Sequence, residues 1–296
     1  MADFELTIGF PHYDDYDGLF FSLQSVRMHH PEILDITEFL IVDNNPTSAH
    51  GQAAAKLAAS MPNVRYEPVT EWQGPWVKDF VFRKSRTKYA VCSDAHVMFP
   101  PGALARLVDY FRANPETCDL IQGPLVYNNL INLSTHFEPV WRGHMWGIWA
   151  TDPRGVDLSA PAFEIPMQGM GLFACRREAW LGFNRMFSGF GGEEGYIHEK
   201  YRKHGHKTLC LPALRWMHRF DRPLGVPFRL VLEDRIRNYF IGFDELGLDP
   251  TQIIDHFASV LGVPRLRALR AKTLEEIRKA KEEGLYGEYP FEYPFN

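Results

Sequence analysis

The sequence predicts an α/β protein: a mostly parallel sheet flanked by helices, with a helical extension at the C-terminal end. Three observations carry this expectation. Short apolar runs alternate with segments of helical spacing over roughly the first 125 residues, the pattern of βαβ units. Successive runs stop at polar clusters, Pro11-His12, Asp43-Asn44 and Asp94-Ala95-His96. In a parallel sheet these stops share one edge, the place where such folds bind ligands.

The elements follow in order. Leu6 to Phe10 is a first strand. Asp15 or Asp17 can cap a helix carrying Leu19, Phe20, Leu23, Val26 and Met28. Phe39-Leu40-Ile41-Val42 is a second strand, the alanine-rich residues 49–60 a helix, and Val64 to Glu67 a third strand. Gly74 to Ser85 has helical spacing, and Tyr89-Ala90-Val91-Cys92 is a buried strand ending in the Asp-Ala-His. Residues 102–113 form a helix closed by Asn114-Pro115, and Leu120 to Pro124 is strand-like. From 125 to about 163 the alternation fails. This segment holds His136, Trp141, His144, Trp146 and Trp149, and is expected to be an irregular acceptor-binding loop or lid. Pro166 to Cys175 is a glycine-rich approach to a strand, followed by a short helix from Arg176. Gly191-Gly192-Glu193-Glu194 precedes a helix over 195–204, and Thr208 to Leu211 is a further strand. Residues 228–242, 251–261 and 273–283 read as helices, the last with Thr273 and Glu276 as a capping box and Gly284 as its stop. The expected division is a catalytic unit over 1–225, with a donor half to about 125 and an acceptor half over 126–225, and a helical extension over 226–296.

Composition bounds the function. A net charge of −5 leaves no basic field for bulk nucleic-acid binding, although residues 200–237 are locally basic. The four cysteines form no CxxC pair, and three lie in apolar runs, which fits buried thiols and a cytoplasmic setting. The N-terminal residues lack the pattern of a signal peptide, and no apolar run approaches a membrane span. Tyr286, Tyr289, Phe291, Tyr293 and Phe295 make the tail too aromatic for water, so it should wrap back on the domain or join a homodimer.

Asp94 and His96 are good donors for a divalent cation, although an acid and a histidine also suit a polar strand end before a turn. His218, one strand later, is a third candidate. Glu193 and Glu194 begin a helix after two glycines, where backbone can approach a ligand closely and an anion is favoured. A metal beside such a helix start suits a departing diphosphate, and one glutamate can take a proton from an incoming hydroxyl. The residues alone therefore point to group transfer from a nucleotide-diphosphate donor or to metal-assisted hydrolysis.

The order of these pieces resembles the GT-A glycosyltransferases of the family-2-like group. The carriers are Phe10-Pro11-His12-Tyr13, Val42-Asp43-Asn44-Asn45, Asp94-Ala95-His96 in place of Asp-x-Asp, Phe99 to Leu104, and Gly171 to Trp180. The second half resembles the polypeptide N-acetylgalactosaminyltransferases, through Pro166-Met167…Gly171-Leu172-Phe173, Phe190-Gly191-Gly192-Glu193-Glu194 and Arg215-Trp216-Met217-His218-Arg219-Phe220. It departs from them with Phe190 for tryptophan and Glu194 for Asp or Asn. The resemblance covers roughly residues 4–220. It implies a GT-A, Rossmann-like fold and a UDP-sugar donor held with Mn²⁺ or Mg²⁺ through Asp94, His96 and His218. It further implies Asp43 on the uracil or ribose, Pro11 along the base, Lys78 and Arg83 as basic donor contacts, Gly169 and Gly171 against the donor sugar, and Glu193 or Glu194 at the reacting centre.

The expected activity is thus a metal-dependent glycosyltransferase, of hexosyl or N-acetylhexosaminyl type. Its acceptor hydroxyl could belong to a glycan, a small molecule or a hydroxymethylated pyrimidine in viral DNA. The alternatives are a metal-dependent nucleotide-sugar hydrolase or pyrophosphatase, and a non-catalytic nucleotide-sugar-binding protein. No lectin-type segment or anchor pattern is visible, which speaks for a cytoplasmic rather than a secreted-pathway enzyme.

Overall fold

A computed structural model describes residues 4–70 and 75–290. Gly74 and the tail residues Phe291, Tyr293 and Phe295 lie outside the described residues. The chain opens with β1 (Leu6–His12), α1 (Tyr16–His29), β2 (Thr37–Asp43), α2 (Ala49–Ala59) and β3 (Val64–Pro68). It continues through a 3₁₀ turn (Pro75–Lys78), α3 (Asp79–Lys84), β4 (Tyr89–Ser93), β5 (Val97–Met98) and α4 (Ala103–Ala113). Next come β6 (Leu120–Gln122), β7 (Leu125–Val126), β8 (Leu133–Ser134), β9 (His136–Arg142), β10 (Met145–Ala150), β11 (Phe163–Glu164) and β12 (Leu172–Arg176). The remainder is α5 (Glu193–Lys203), β13 (Thr208–Cys210), β14 (Trp216–His218), α6 (Leu232–Leu246), α7 (Thr251–Leu261) and α8 (Val263–Glu282).

The main sheet has eight strands in the order β11-β13-β6-β12-β4-β1-β2-β3. The block β3-β2-β1-β4 is parallel throughout, so the carboxyl ends at Pro68, Asp43, His12 and Ser93 share one edge. That block is closed by β12, which runs antiparallel to β4. A second sheet, β5-β14-β7-β8, stands at the same edge and pairs His218 with Val97.

Alternation along the strands makes the two cores. Leu6, Ile8 and Phe10 of β1 pack with Phe39 and Ile41 of β2 against α1 and α4. Leu40, Val42, Ala90, Cys92 and Phe173 point to the other face, where they meet Phe80, Val81, Tyr196 and Ile197. Strands enclosed on both faces read as continuous apolar runs, which is why these were visible in the sequence. Gly9 lies where α3 crosses the sheet: a Cβ there would stand 2.3 Å from Val81 Cγ1.

Four expectations are corrected. Residues 125–163 are not irregular: they supply β7 to β10, and β9 with β10 forms an antiparallel hairpin turning at Gly143 (φ 56°) and bulged near Gly147 (φ 136°). The two-residue period was hidden because both faces of the hairpin carry aromatics. Trp141 and Trp146 stack on each other at 5.8 Å and pack into Tyr239, Phe243 and Phe257 of the C-terminal helices, so they brace the helical extension. The segment expected as one helix from Gly74 is, where described, a 3₁₀ turn followed by the six-residue α3. Thr273 caps nothing: it sits inside α8, and its Oγ1 donates to the Leu269 carbonyl. Gly284, at φ 68°, does end that helix.

The described part of the tail packs on its own chain. Tyr289 is buried, Tyr286 Oη donates to Asp244 at 2.7 Å, and Arg83 donates to the Tyr289 and Pro290 carbonyls at 2.7 Å each. The three cysteines expected in strands, Cys92, Cys175 and Cys210, are buried free thiols. Among the described residues no helix is long and apolar enough to cross a membrane.

Gly123 joins the two sheets. Its carbonyl accepts hydrogen bonds from Trp216 Nε1 (2.7 Å) and Gln168 Nε2 (3.1 Å), and a Cβ on it would lie 1.7 Å from the Leu214 carbonyl oxygen. Gly123→Ala should therefore cost about 1–3 kcal/mol of stability. A urea midpoint equal to that of the unchanged protein would show that the 211–216 turn can give way.

Candidate functional site

Asp94, His96 and His218 each offer a donor atom, and the three atoms lie within 4.8 Å of one another. Three separate features of the chain bring them together. Asp94 leaves the end of β4, with its N–H donating to the Gly171 carbonyl at 2.8 Å. His96 precedes β5. His218 arrives on β14, which pairs with β5, and the Arg219 N–H ties back to the His96 carbonyl at 3.2 Å. His96 Nε2 stands 3.0 Å from His218 Nε2, which is 3.4 Å from Asp94 Oδ2.

The electrostatics suit a cation. Burial works to raise the Asp94 pKa, but the Lys78 ammonium and a hydrogen bond from His218 outweigh it. The carboxyl is held well below its usual range and stays ionised. Burial lowers the His96 pKa, which favours the neutral imidazole. An ionised carboxylate and neutral imidazoles are the forms that bind a divalent cation. His218 Nδ1 is buried without a hydrogen-bond partner, and the set as a whole fits such an ion.

Lys78 joins this cluster. Its ammonium donates to the Met170 carbonyl at 2.7 Å and lies 3.3 Å from Asp94 Oδ1. Burial acts to discharge it, but Asp94 and Glu193 raise its pKa, so it stays a cation. Glu193 stands in the first turn of α5 after Gly191 and Gly192, whose φ values of 93° and 96° turn the chain into the helix. Its carboxyl is 3% exposed, and Oε2 is buried without a hydrogen-bond partner. Glu194 is only half-buried.

Gly169 and Gly171 line the approach to β12. A Cβ on Gly171 would meet Trp216 at 2.9 Å and His218 Cδ2 at 3.3 Å; one on Gly169 would meet Trp149 at 3.2 Å. Two residues that the sequence did not signal hold this segment. Gln122 Nε2 donates to the Gly169 and Leu172 carbonyls, each at 3.0 Å. His198 is buried and kept neutral, its pKa lowered to about 3 by burial. Its Nε2 accepts from the Gln168 N–H at 3.2 Å.

Other expected contacts fall elsewhere. Asp43 is fully buried. Tyr66 Oη donates to it at 2.6 Å, the Asn45 N–H donates at 2.9 Å, and His12 Nδ1 is 3.1 Å away. These contacts pin its carboxylate at the end of β2. Arg83 is not brought to the site: it pairs with the buried Asp79 at 3.6 Å and holds the tail carbonyls. Pro11 stays in β1, paired with Val42, where it lies along the sheet edge. Asp15, read from the sequence only as a possible helix cap, reaches His96, and Arg219 and Arg222 also come to the site.

The basic stretch 200–237 does not form one groove. Lys200 is buried against Glu245 and Glu288, Arg202 pairs with Glu199, and Arg237 pairs with Glu276. The duplex-DNA acceptor, which needed a continuous basic face, has no support here.

No curated protein matches the sequence significantly. Solved structures do share the fold. The crystal structure of GalNAc-T7 with UDP, GalNAc and Mn²⁺ superposes with a TM-score of 0.64 over 95% of this chain, at 16% identity. This chain spans 58% of the length of that one. The mannosyltransferase PcManGT from Pyrobaculum calidifontis, in complex with GDP-Man and Mn²⁺, superposes with a TM-score of 0.55 over 95% of this chain and 81% of its own, at 15% identity. The architecture is the GT-A fold. The model of glycosyl transferase family 2 matches residues 7–180, more than half of the sequence, and the chain belongs to that family.

Proposed function

We propose that this glycosyltransferase moves a sugar from a nucleotide-diphosphate sugar, a UDP-sugar first among them, to an acceptor hydroxyl. A divalent cation, Mn²⁺ or Mg²⁺, would be held by Asp94, His96 and His218. The observation that carries this reading is the convergence of those three donors on the carboxyl edge of the parallel sheet, where Lys78 lies close enough to feel both Asp94 and the buried Glu193. Both solved neighbours hold Mn²⁺ with a nucleotide, which supports the choice of ligand. When bound, the cation would offset the charge on the diphosphate as it departs.

The chain's own residues do the rest. Lys78 places a fixed positive charge beside Asp94. Gly169 and Gly171 let aromatic rings pack directly on the backbone of the segment that would approach a donor sugar. Trp149 covers Gly169, and Trp216 supports His218. Of the two glutamates, Glu193 is the acid–base group we assign, because its unpartnered buried oxygen can exchange a proton with a hydroxyl, whereas Glu194 is partly in solvent. The acceptor is a molecule with a free hydroxyl, and a glycan is the class in keeping with both neighbours.

Three outcomes test this reading. A thermal-shift screen should show stabilisation by a UDP- or GDP-sugar that depends on Mn²⁺, and His218→Ala should abolish that dependence. If no nucleotide sugar raises the melting temperature with metal present, the donor and metal readings both fail. Product analysis without acceptor separates transfer from plain donor hydrolysis. Glu193→Gln should lower kcat by about 10²- to 10⁴-fold, and Glu194→Gln far less. Equal effects would remove the assignment.

A further outcome concerns pH. Burial, with a smaller push from Glu194, raises the Glu193 pKa from its ordinary 4.5 to about 8 against the opposing charges of Lys78 and Arg235. The folded state thus binds a proton that the unfolded state has already lost, and stability falls as pH rises through this window. In metal-free protein, Glu193→Gln should therefore gain on the unchanged chain as pH rises from about 5 to about 8, and then level off. Urea midpoints at several pH values read this margin, and a margin independent of pH refutes the burial argument.

A further inference from the structure

We propose that Asp15 is the positioning residue that fixes the His96 ring for cation binding. This rests on the reading of Asp94, His96 and His218 as metal donors. Asp15 Oδ2 lies 2.9 Å from His96 Nδ1, across 81 residues of sequence. An ionised carboxylate only accepts hydrogen bonds, so Nδ1 carries the ring proton and Nε2 keeps its lone pair. Nε2 is the nitrogen that faces His218, at 3.0 Å. Arg222 Nη2 lies 2.7 Å from His96 Nε2 and 3.2 Å from Nδ1, so its guanidinium sits over the face of the ring and the tautomer is set by the in-plane contact with Asp15.

The carboxylate divides its two oxygens. Oδ1 accepts the Gly18 N–H at 3.3 Å, capping α1, and the Arg219 guanidinium at 3.1 Å. Oδ2 is left to His96, with Arg222 Nη1 3.8 Å away. Local backbone makes this placement possible. Asp14 adopts φ 49° in the turn out of β1. Gly18 has no side chain, and a Cβ there would stand 2.8 Å from both Asp15 oxygens and 2.6 Å from the Ala95 carbonyl. The helix cap thus delivers a carboxylate to the back of the His96 ring. Carboxylates that orient metal-binding histidines in this way typically sustain about 10- to 100-fold in metal affinity.

The capping and positioning roles separate by substitution. Serine and asparagine cap as well as aspartate. Asp15→Ser therefore keeps the α1 cap but is too short to reach His96, and Asp15→Asn keeps the length but removes the charge. Mn²⁺ alone is titrated into each protein while free Mn²⁺ is followed by electron paramagnetic resonance. Asp15→Ser should bind about 10- to 100-fold more weakly with its melting temperature little changed, and Asp15→Asn should fall between. In parallel, long-range ¹H–¹⁵N spectra of the metal-free protein should show His96 protonated at Nδ1, and that signature should be lost in Asp15→Ser. Wild-type Mn²⁺ affinity in Asp15→Ser, or an unchanged His96 signature, overturns the proposal. Should the unchanged protein take up no Mn²⁺, the metal reading falls, and the His96 spectra still report whether Asp15 sets the ring. Should Asp15→Ser fail to fold, the same two measurements on Asp15→Asn decide: wild-type values there overturn the proposal.

Discussion

A negative charge half-buried at the end of β4 is the constraint on which the site depends. Removing a carboxylate from water costs several kcal/mol unless cations and hydrogen-bond donors replace the solvent. Asp94 has them from three directions: the Lys78 ammonium, the His218 ring and the nearby His96 imidazole. Each comes from a different part of the chain. Lys78 precedes α3, His96 follows β4, and His218 requires the small second sheet to form. The parallel block supplies an edge, but without β14 paired to β5 that edge would lose the His218 partner of Asp94. The second sheet therefore belongs to the site as much as to the fold.

What was legible in the sequence follows from physical range. The parallel strands were visible because burial on both faces leaves unbroken apolar runs, as in Phe39 to Val42. The candidate metal donors were visible because residue type and position beside a strand end suffice to nominate Asp94, His96 and His218. Asp15 was not, since its capping role is local while its contact with His96 spans 81 residues. Gln122 and His198 were hidden for the same reason. Their chemistry is ordinary, and only the fold places them under the Gly169–Gly171 segment.

Residues already held by partners teach the converse. Asp43 sits at a strand end as a ligand contact would, yet Tyr66, Asn45 and His12 take up its oxygens. Arg83 shares a short helix with Val81 and Phe82, but its guanidinium turns to Asp79 and the tail. Position on an element nominates a residue; the partners already surrounding it decide what it is free to do. The aromatic hairpin makes the same point, because a second apolar layer over Trp141 and Trp146 erases the alternation that marks a half-exposed strand.

The packing of that hairpin bears on how the molecule unfolds. Trp146 lies against Gly195 in the first turns of α5, where an added Cβ would stand 2.3 Å from the indole, and the same ring meets Phe243 of α6. Ile241 of α6 and Ile277 of α8 share one apolar cluster with Tyr196 and Ile197. The sequence changes character near residue 225, but the interior does not. The C-terminal helices and the glutamate-bearing turn thus share one interior, and a chain cut at that boundary would strip α5 of the apolar cover that holds its first turns in place.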